Sequence, residues 1–184
     1  MRLLHTTTYE LEEFIGDTIP PYAILSHTWE GKEKKIANAC QVARRRFFKY
    51  IWIDTCCIDK SSSAELQEAI NSMFQWYAYA EVCFVSLSDL EPLSCPYPEE
   101  IDFRNDPARV SQSRWFTRGW TLQELLAPAK VEFYDRTWYF RFTRGSQAAD
   151  IMSKIKINEH LRMSWAAGRQ TTRIEDQAYC LLGE

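Results

Sequence analysis

At 184 residues the chain is long enough for a single domain, 1–184, that buries about 70% of the surface its unfolded form exposes. An apolar content of 46% with 14% aromatics excludes a disordered chain. The balance of 22 basic against 25 acidic side chains, net −3, excludes the concentrated positive charge of a nucleic-acid binder.

No apolar run approaches the roughly 20 residues of a membrane span, and residues 1–8 lack the apolar centre of a signal peptide. The six cysteines (Cys40, Cys56, Cys57, Cys83, Cys95 and Cys180) form no Cys-x-x-Cys pair, and the three histidines lie far apart. That spacing argues against a disulfide framework and against any metal site, and reduced thiols suit a cytoplasmic protein. The run Arg44-Arg45-Arg46 with Lys49 reads as the solvated face of a helix.

In chain order, Leu11, Phe14 and Ile15 suggest a short helix within residues 1–21, and Pro20-Pro21 forces an extended entry into the first long apolar run. That run, Tyr22-Ala-Ile-Leu-Ser-His27, is apolar until its far end, which predicts a strand buried on both faces, as in a parallel sheet. Ile36, Ala39, Cys40, Ala43 and Phe47 recur at helical spacing over 34–48. Tyr50-Ile-Trp-Ile-Asp54 repeats the strand pattern and ends on a polar cluster, Asp54-Thr-Cys-Cys. Ser62-x-x-Glu65 reads as a capping box, in which hydroxyl and carboxylate each satisfy an orphan N–H. It opens a helix with Leu66, Ala69, Ile70, Met73, Phe74, Tyr77 and Ala80 as its apolar stripe. Val82–Leu87 is a third strand, ending in Ser88-Asp89, and 91–110 reads as a long loop with four prolines.

Residues 113–128 read as one helix, capped by Ser113 and stopped by Pro128. Trp115, Gly119, Leu122 and Leu126 share one side of it. Trp120 and Glu124 are neighbours on a second face, almost opposite that stripe. Glu124 is then either a solvated acid beside a half-buried indole or a carboxylate lining a pocket that the indole walls. Lys130–Asp135 is a fourth strand, nearer an edge, and helices are expected within 146–156 and over 172–182.

Alternating strands and helices predict an α/β, three-layer fold with a mostly parallel central sheet of about four to five strands. Ligands in such folds sit beyond the carboxyl ends of the strands, near the topological switch point. Here those ends carry Ser26-His27-Thr28, Asp54-Thr55-Cys56-Cys57, Ser88-Asp89 and Asp135.

Three blocks carry a resemblance: Pro21-Tyr-Ala-Ile-Leu-Ser-His-Thr-Trp29, Tyr50-Ile-Trp-Ile-Asp-Thr-Cys-Cys-Ile-Asp-Lys60 running on to Trp76, and Arg114-Trp-Phe-Thr-Arg-Gly-Trp-Thr-Leu-Gln-Glu-Leu125. In this order they closely resemble the fungal heterokaryon-incompatibility (HET) domain, as do 162–166 and 172–183. The link after the first strand and the segment from about 139 to 160 look shorter than is usual in that family. Its members run on past the position of Glu184, so the chain is expected to be the N-terminal part of a longer protein. HET domains are similar in organisation to Toll/interleukin-1 receptor (TIR) domains, a flavodoxin-like fold. Many TIR domains cleave NAD with a helix-borne glutamate in a Trp-Cys-x-x-Glu-Leu pattern. Trp120-Thr-Leu-Gln-Glu124-Leu125 has that spacing, with Thr121 in place of the cysteine. Ser26-His27 resembles the end of the first TIR strand.

The resemblance implies an effector of programmed cell death in allorecognition, acting as a TIR-like NAD glycohydrolase. Glu124 would stabilise the oxocarbenium-like state, as glycosidase carboxylates do. Trp120 or Trp29 would stack on a flat ring, while Ser26, His27 and Asp54 would meet ribose or diphosphate. Arg118 would clamp phosphate, although the helical projection places it away from Glu124. No Gly-x-Gly-x-x-Gly fingerprint occurs, so NAD would be substrate and no cofactor is called for. Expected partners are NAD or a related nucleotide, further copies of the chain when active, and a nucleotide-binding regulator, with no nucleic acid and no membrane. Two alternatives stand beside this reading. One is a non-catalytic assembly module, with Trp115, Phe116, Trp138 and Tyr139 as interface anchors against their reading as core. The other is a cysteine hydrolase joining His27 to Cys56 or Cys57, with Asp54 or Asp59 orienting the imidazole.

Overall fold

The computed structural model describes residues 1–28, 32–92 and 107–144. The helices expected within 146–156 and 172–182, and most of the 91–110 loop, lie outside the described residues. Strands β1 (Arg2–His5), β2 (Leu11–Glu13), β3 (Tyr22–His27), β4 (Tyr50–Trp52), β5 (Val82–Ser86), β6 (Val131–Tyr134) and β7 (Phe140–Thr143) form one sheet in the order β2-β1-β4-β3-β5-β6-β7. Its helices are α1 (Lys32–Arg45), α2 (Asp54–Cys57), α3 (Ser63–Tyr79), α4 (Pro107–Ser111) and α5 (Thr121–Leu126).

The class is α/β as expected, but the sheet is mixed and has seven strands among the described residues. Only the β4-β3-β5-β6 centre is parallel, and β1, β2 and β7 add antiparallel pairings at both sides. Short links explain the difference, since a parallel return needs a crossover that a tight turn cannot supply. Between β1 and β2, His5 Nδ1 accepts from the amides of Thr7 and Thr8 at 3.3 and 3.1 Å. A hairpin therefore stands where a helix over Leu11–Ile15 is expected. Between β6 and β7, Asp135 Oδ1 accepts from Thr137 N, Thr137 Oγ1 and Tyr139 N at 2.9, 2.7 and 3.1 Å. Asp135 is thus the hub of a turn, and β6 is an interior strand with every residue buried.

Right-handed crossovers put α1 on one face of the sheet, and put α3 and α5 on the other, because the direction of travel reverses after β4. α3 does pack against α5. Aromatic side chains fill that layer. Trp52 meets Trp76 and Tyr77 at centroid distances of 5.5 and 6.0 Å, and Phe133 meets Trp115 and Phe142 at 5.8 and 4.4 Å. α3 starts as expected, with Ser62 Oγ accepting from Glu65 N at 3.3 Å, but the capping box is only half made. Glu65 Oε1 turns to Asp59 N (2.8 Å) and to Arg2 instead of the Ser62 amide.

The expected helix over 113–128 is broken. Residues Arg114–Thr117 form a 3₁₀ turn capped by Ser113, Arg118 is extended (φ −83°, ψ 145°), and α5 starts afresh at Thr121. Thr121 Oγ1 lies 2.7 and 2.8 Å from the carbonyls of Trp115 and Arg118, which share its one proton. It helps to satisfy carbonyls left where the helix stops, the Trp115 carbonyl also accepting from Arg118 N at 3.5 Å. Among the described residues no helix is long and apolar enough to cross a membrane.

Candidate functional site

The chain leaves β3 toward β4 on one side and later returns to β5 on the other, so the switch point lies at the carboxyl ends of β3 and β5. Ser26, the penultimate residue of β3, is 1% exposed there, and α5 brings Glu124, 9% exposed, against it. Ser26 Oγ hydrogen-bonds Glu124 Oε2, and Trp115 Nε1 donates to the same hydroxyl at 2.6 Å. An indole N–H can only donate, so it fills an acceptor site on Ser26 and leaves the hydroxyl proton for the carboxylate. Three residues that are distant in sequence thereby fix one another's orientation.

Burial pushes the Glu124 carboxyl up and the nearby Asp54 charge adds to the effect, while the Ser26 bond and the His27 and Arg118 charges oppose it; the result is a pKa raised to about 7. Glu124 is therefore not the solvated acid that the helical projection allowed. All of Thr121–Leu125 is buried, because the sheet rim covers one side of this short helix and neighbouring segments cover the rest.

His27 forms a second cluster beside the first. Its Nδ1 lies 3.0 Å from the Thr28 carbonyl, which can only accept. Its Nε2 lies 3.0 Å from Asp54 Oδ1 and 3.1 Å from Thr55 Oγ1. The imidazole is 6% exposed and the Asp54 side chain 24%. Burial pushes Asp54 up, but the His27 hydrogen bond and charge, with Lys60 and Thr55, outweigh it and hold the carboxyl below its ordinary value.

Of the other residues nominated from sequence, Trp29 lies outside the described residues. Trp120 is half-buried at the start of α5, and its carbonyl receives the Glu124 amide at 3.5 Å. Arg118 is half-buried, and the break in the helix brings its charge to bear on Glu124, contrary to the projection. Asp89 ties the rim together, accepting from Ser113 Oγ at 2.6 Å and from Arg114 N at 2.8 Å. Thr28 and Ser88 hydroxyls join β3 to β5 at 2.9 Å.

The cysteine-hydrolase pairing does not form. Cys56 Sγ meets the Ile53 carbonyl and Cys57 Sγ, while Cys57 Sγ meets the backbone of Ile51 and Ile53, and neither thiol meets an imidazole. Burial raises the Cys57 thiol well above its ordinary value, whereas the Cys57 hydrogen bond lowers the Cys56 thiol, so it is the missing imidazole that rules out the pair. Asp59 caps Ser61 instead of orienting His27. Trp115 and Phe116, nominated as interface anchors, are core at 0% and 5% exposure. The Trp115 donor was hidden in the sequence, since a core stripe and a hydrogen-bonding indole look alike there. Among the described residues no group of three or more His, Cys, Asp or Glu side chains is placed to hold a metal.

Fold and site together define an α/β domain with a buried, high-pKa glutamate at its switch point, the place where such sheets accept ligands. Residues 22–109 match the family model of the heterokaryon incompatibility protein (HET). The vegetative incompatibility protein HET-E-1 of Podospora anserina is 41% identical over 206 residues, covering 90% of this chain and 14% of that protein. The chain belongs to the HET family. It spans about one seventh of that relative's length, 14%. No solved structure matches it.

Proposed function

We propose that this chain is the effector domain of a heterokaryon-incompatibility protein, and that it acts by hydrolysing the bond between ribose and nicotinamide in NAD. The observation that carries this reading is the Glu124 carboxylate, buried against Ser26 at the switch point with its pKa raised to about 7. A TIR-like organisation is part of the proposal. Its support is the order of the parallel strands β4-β3-β5-β6, which in chain order read second, first, third, fourth, the flavodoxin-like arrangement.

In the proposed reaction the C1′–N bond breaks and its electron pair leaves with nicotinamide. Positive charge then develops on the ribose, and a carboxylate held in a dry site stabilises it more than one in water does. Water adds to C1′ and releases a proton, giving ADP-ribose, nicotinamide and H⁺. Trp115, through Ser26, keeps the carboxylate from rotating away. In this proposal His27 and Asp54 meet ribose hydroxyls, Trp120 flanks the flat ring, and Arg118 meets the diphosphate. NAD is substrate throughout, and no cofactor is required. The proposed setting is the cytoplasm, with self-assembly and a nucleotide-binding regulator controlling activity.

The test is incubation of purified protein with NAD, free and clustered on a scaffold, with free nicotinamide measured as product. Release by the parent and none by Glu124→Gln supports the reading, whereas equal release by both removes it. A second reading, a non-catalytic assembly module, draws on Tyr139 and Phe140, 65% and 41% exposed around the start of β7. Cell death that survives Glu124→Gln but is lost in Tyr139→Ser would favour it.

A further inference from the structure

At the opposite pole of the sheet two turns lie side by side. Thr6 after β1 donates its amide to the Lys49 carbonyl at 2.8 Å and its hydroxyl to the Phe48 carbonyl at 3.0 Å, just before β4 begins. The first turn presents Tyr9 and the second Phe47, and both have positive φ, 60° and 64°. L residues with large side chains adopt that backbone region only at a cost.

Phe47 is anomalous twice over. α1 ends in a Schellman motif, with Phe48 N bonded to the Ala43 carbonyl at 2.9 Å and Phe47 N to the Arg44 carbonyl at 2.9 Å. That geometry puts Phe47 at the position that usually holds glycine. The ring gains nothing by burial in return, for it is 96% exposed. A residue that suits neither its backbone nor its solvent calls for a function.

The surrounding charge says which one. The side chains of Arg45 and Lys49 are exposed and have no hydrogen-bond or ion-pair partner among the described residues. Arg44 donates to the Thr6 carbonyl and, at 3.4 Å, to Tyr9 OH, with its guanidinium 6.0 Å from the Tyr9 ring centroid. Arg46 is tied to Glu132, and Glu10 is the exposed acid of the first turn. The pole is thus basic in a chain of net charge −3. Its aromatic stands on a turn tip, which suits a soft anionic interface better than a protein pocket.

We propose that this pole docks on the anionic surface of a lipid bilayer, with Phe47 entering the headgroup region and Arg44, Arg45 and Lys49 meeting the lipid charges. The proposal is independent of any chemistry at Glu124, which lies at the other end of the strands. It involves no membrane-spanning segment.

The test uses the 184-residue chain and vesicles of phosphatidylcholine, either alone or with about one third phosphatidylserine, in a sedimentation assay. Binding is expected to the anionic vesicles only, and to fall as salt is raised. Phe47→Gly relieves the positive φ, so its thermal midpoint should hold or rise while vesicle binding weakens about tenfold. Arg45→Ser and Lys49→Ser should each weaken binding about fivefold. Failure of the parent to sediment with anionic vesicles overturns the proposal, as does equal binding by Phe47→Gly. Binding to a single-stranded oligonucleotide that the anionic vesicles do not displace would overturn it too, and would assign the patch to nucleic acid.

Discussion

Two glutamates among the described residues are buried, and they are treated in opposite ways. Glu132 on β6 is 1% exposed and fully supplied: Arg46 and Lys130 each approach to 3.0 Å and Tyr134 OH donates at 2.7 Å. Glu124 on α5 is 9% exposed but has a neutral hydroxyl as its hydrogen-bond partner, with the Asp54 charge near enough to push its pKa up. Two cations offset the desolvation of a carboxylate, whereas one hydroxyl only orients it. The first glutamate closes a strand against the end of α1, and the second is left able to gain or lose a proton near neutral pH. Burial alone therefore marks neither as functional. What matters is the kind of partner provided.

The largest effect that would sharpen this contrast is chemical. Glu124→Gln should lower NAD cleavage by about 10³-fold, measured as nicotinamide release. The same variant should be more stable than the parent at pH 8. Glu124 has a folded-state pKa near 7 against an ordinary 4.5, so it favours the native state below pH 4.5 and loses that contribution as pH rises through 7. A gain of about 3 kcal/mol at pH 8, vanishing toward pH 4.5, is expected from urea midpoints. A Gln variant that is less stable at pH 8 would contradict the environment assigned to this carboxylate.

Stripping the other glutamate of its cations should have the next largest effect. Arg46→Ala combined with Lys130→Ala leaves Glu132 buried with Tyr134 alone, at a cost of about 3 kcal/mol at neutral pH. A double variant that unfolds at the parent's urea midpoint would show that Glu132 never depended on those cations. A smaller change, about 1 kcal/mol, is expected for Trp115→Phe, which keeps the ring packed against Phe133 but removes the donor to Ser26. Smallest is Asp54→Asn. Removing that charge lowers the Glu124 pKa, so the ionisation step, followed by carboxyl-carbon NMR, should move to lower pH. An unmoved step would separate the two clusters that the rim places together.

Much of this was legible in the chain because it depends on neighbours in sequence. The apolar runs Tyr22–His27 and Val82–Ser86 are central strands, and Leu66, Ala69, Met73, Tyr77 and Ala80 of the expected stripe pack α3 on the sheet, joined by Trp76 in place of Ile70 and Phe74. Strand ends rich in Ser, His, Asp and Thr marked the rim because a parallel sheet places all of its carboxyl ends together. Glu124 and Ser26 were both nominated, but their direct bond could not be read, since the two residues are 98 apart in sequence.

What the amino-acid order determined by itself was the set of local elements, their alternation, and the identity of the groups at the strand ends, all governed by periodicity and capping over a few residues. Tertiary structure alone decided the remainder. The β1–β2 and β6–β7 hairpins follow from short links, but the docking of β1 on β4 joins segments far apart in sequence, a pairing that local preference does not specify. The helix over 113–128 breaks where Trp115 is drawn into the core and its indole N–H reaches Ser26, while the Thr121 hydroxyl meets carbonyls left by the interruption. Glu124 became a high-pKa acid only when the sheet rim removed its water, and the Ser26 hydroxyl, 98 residues away in sequence, offsets only part of that loss. Desolvation is set by every element that packs around a group, so no single segment could announce it.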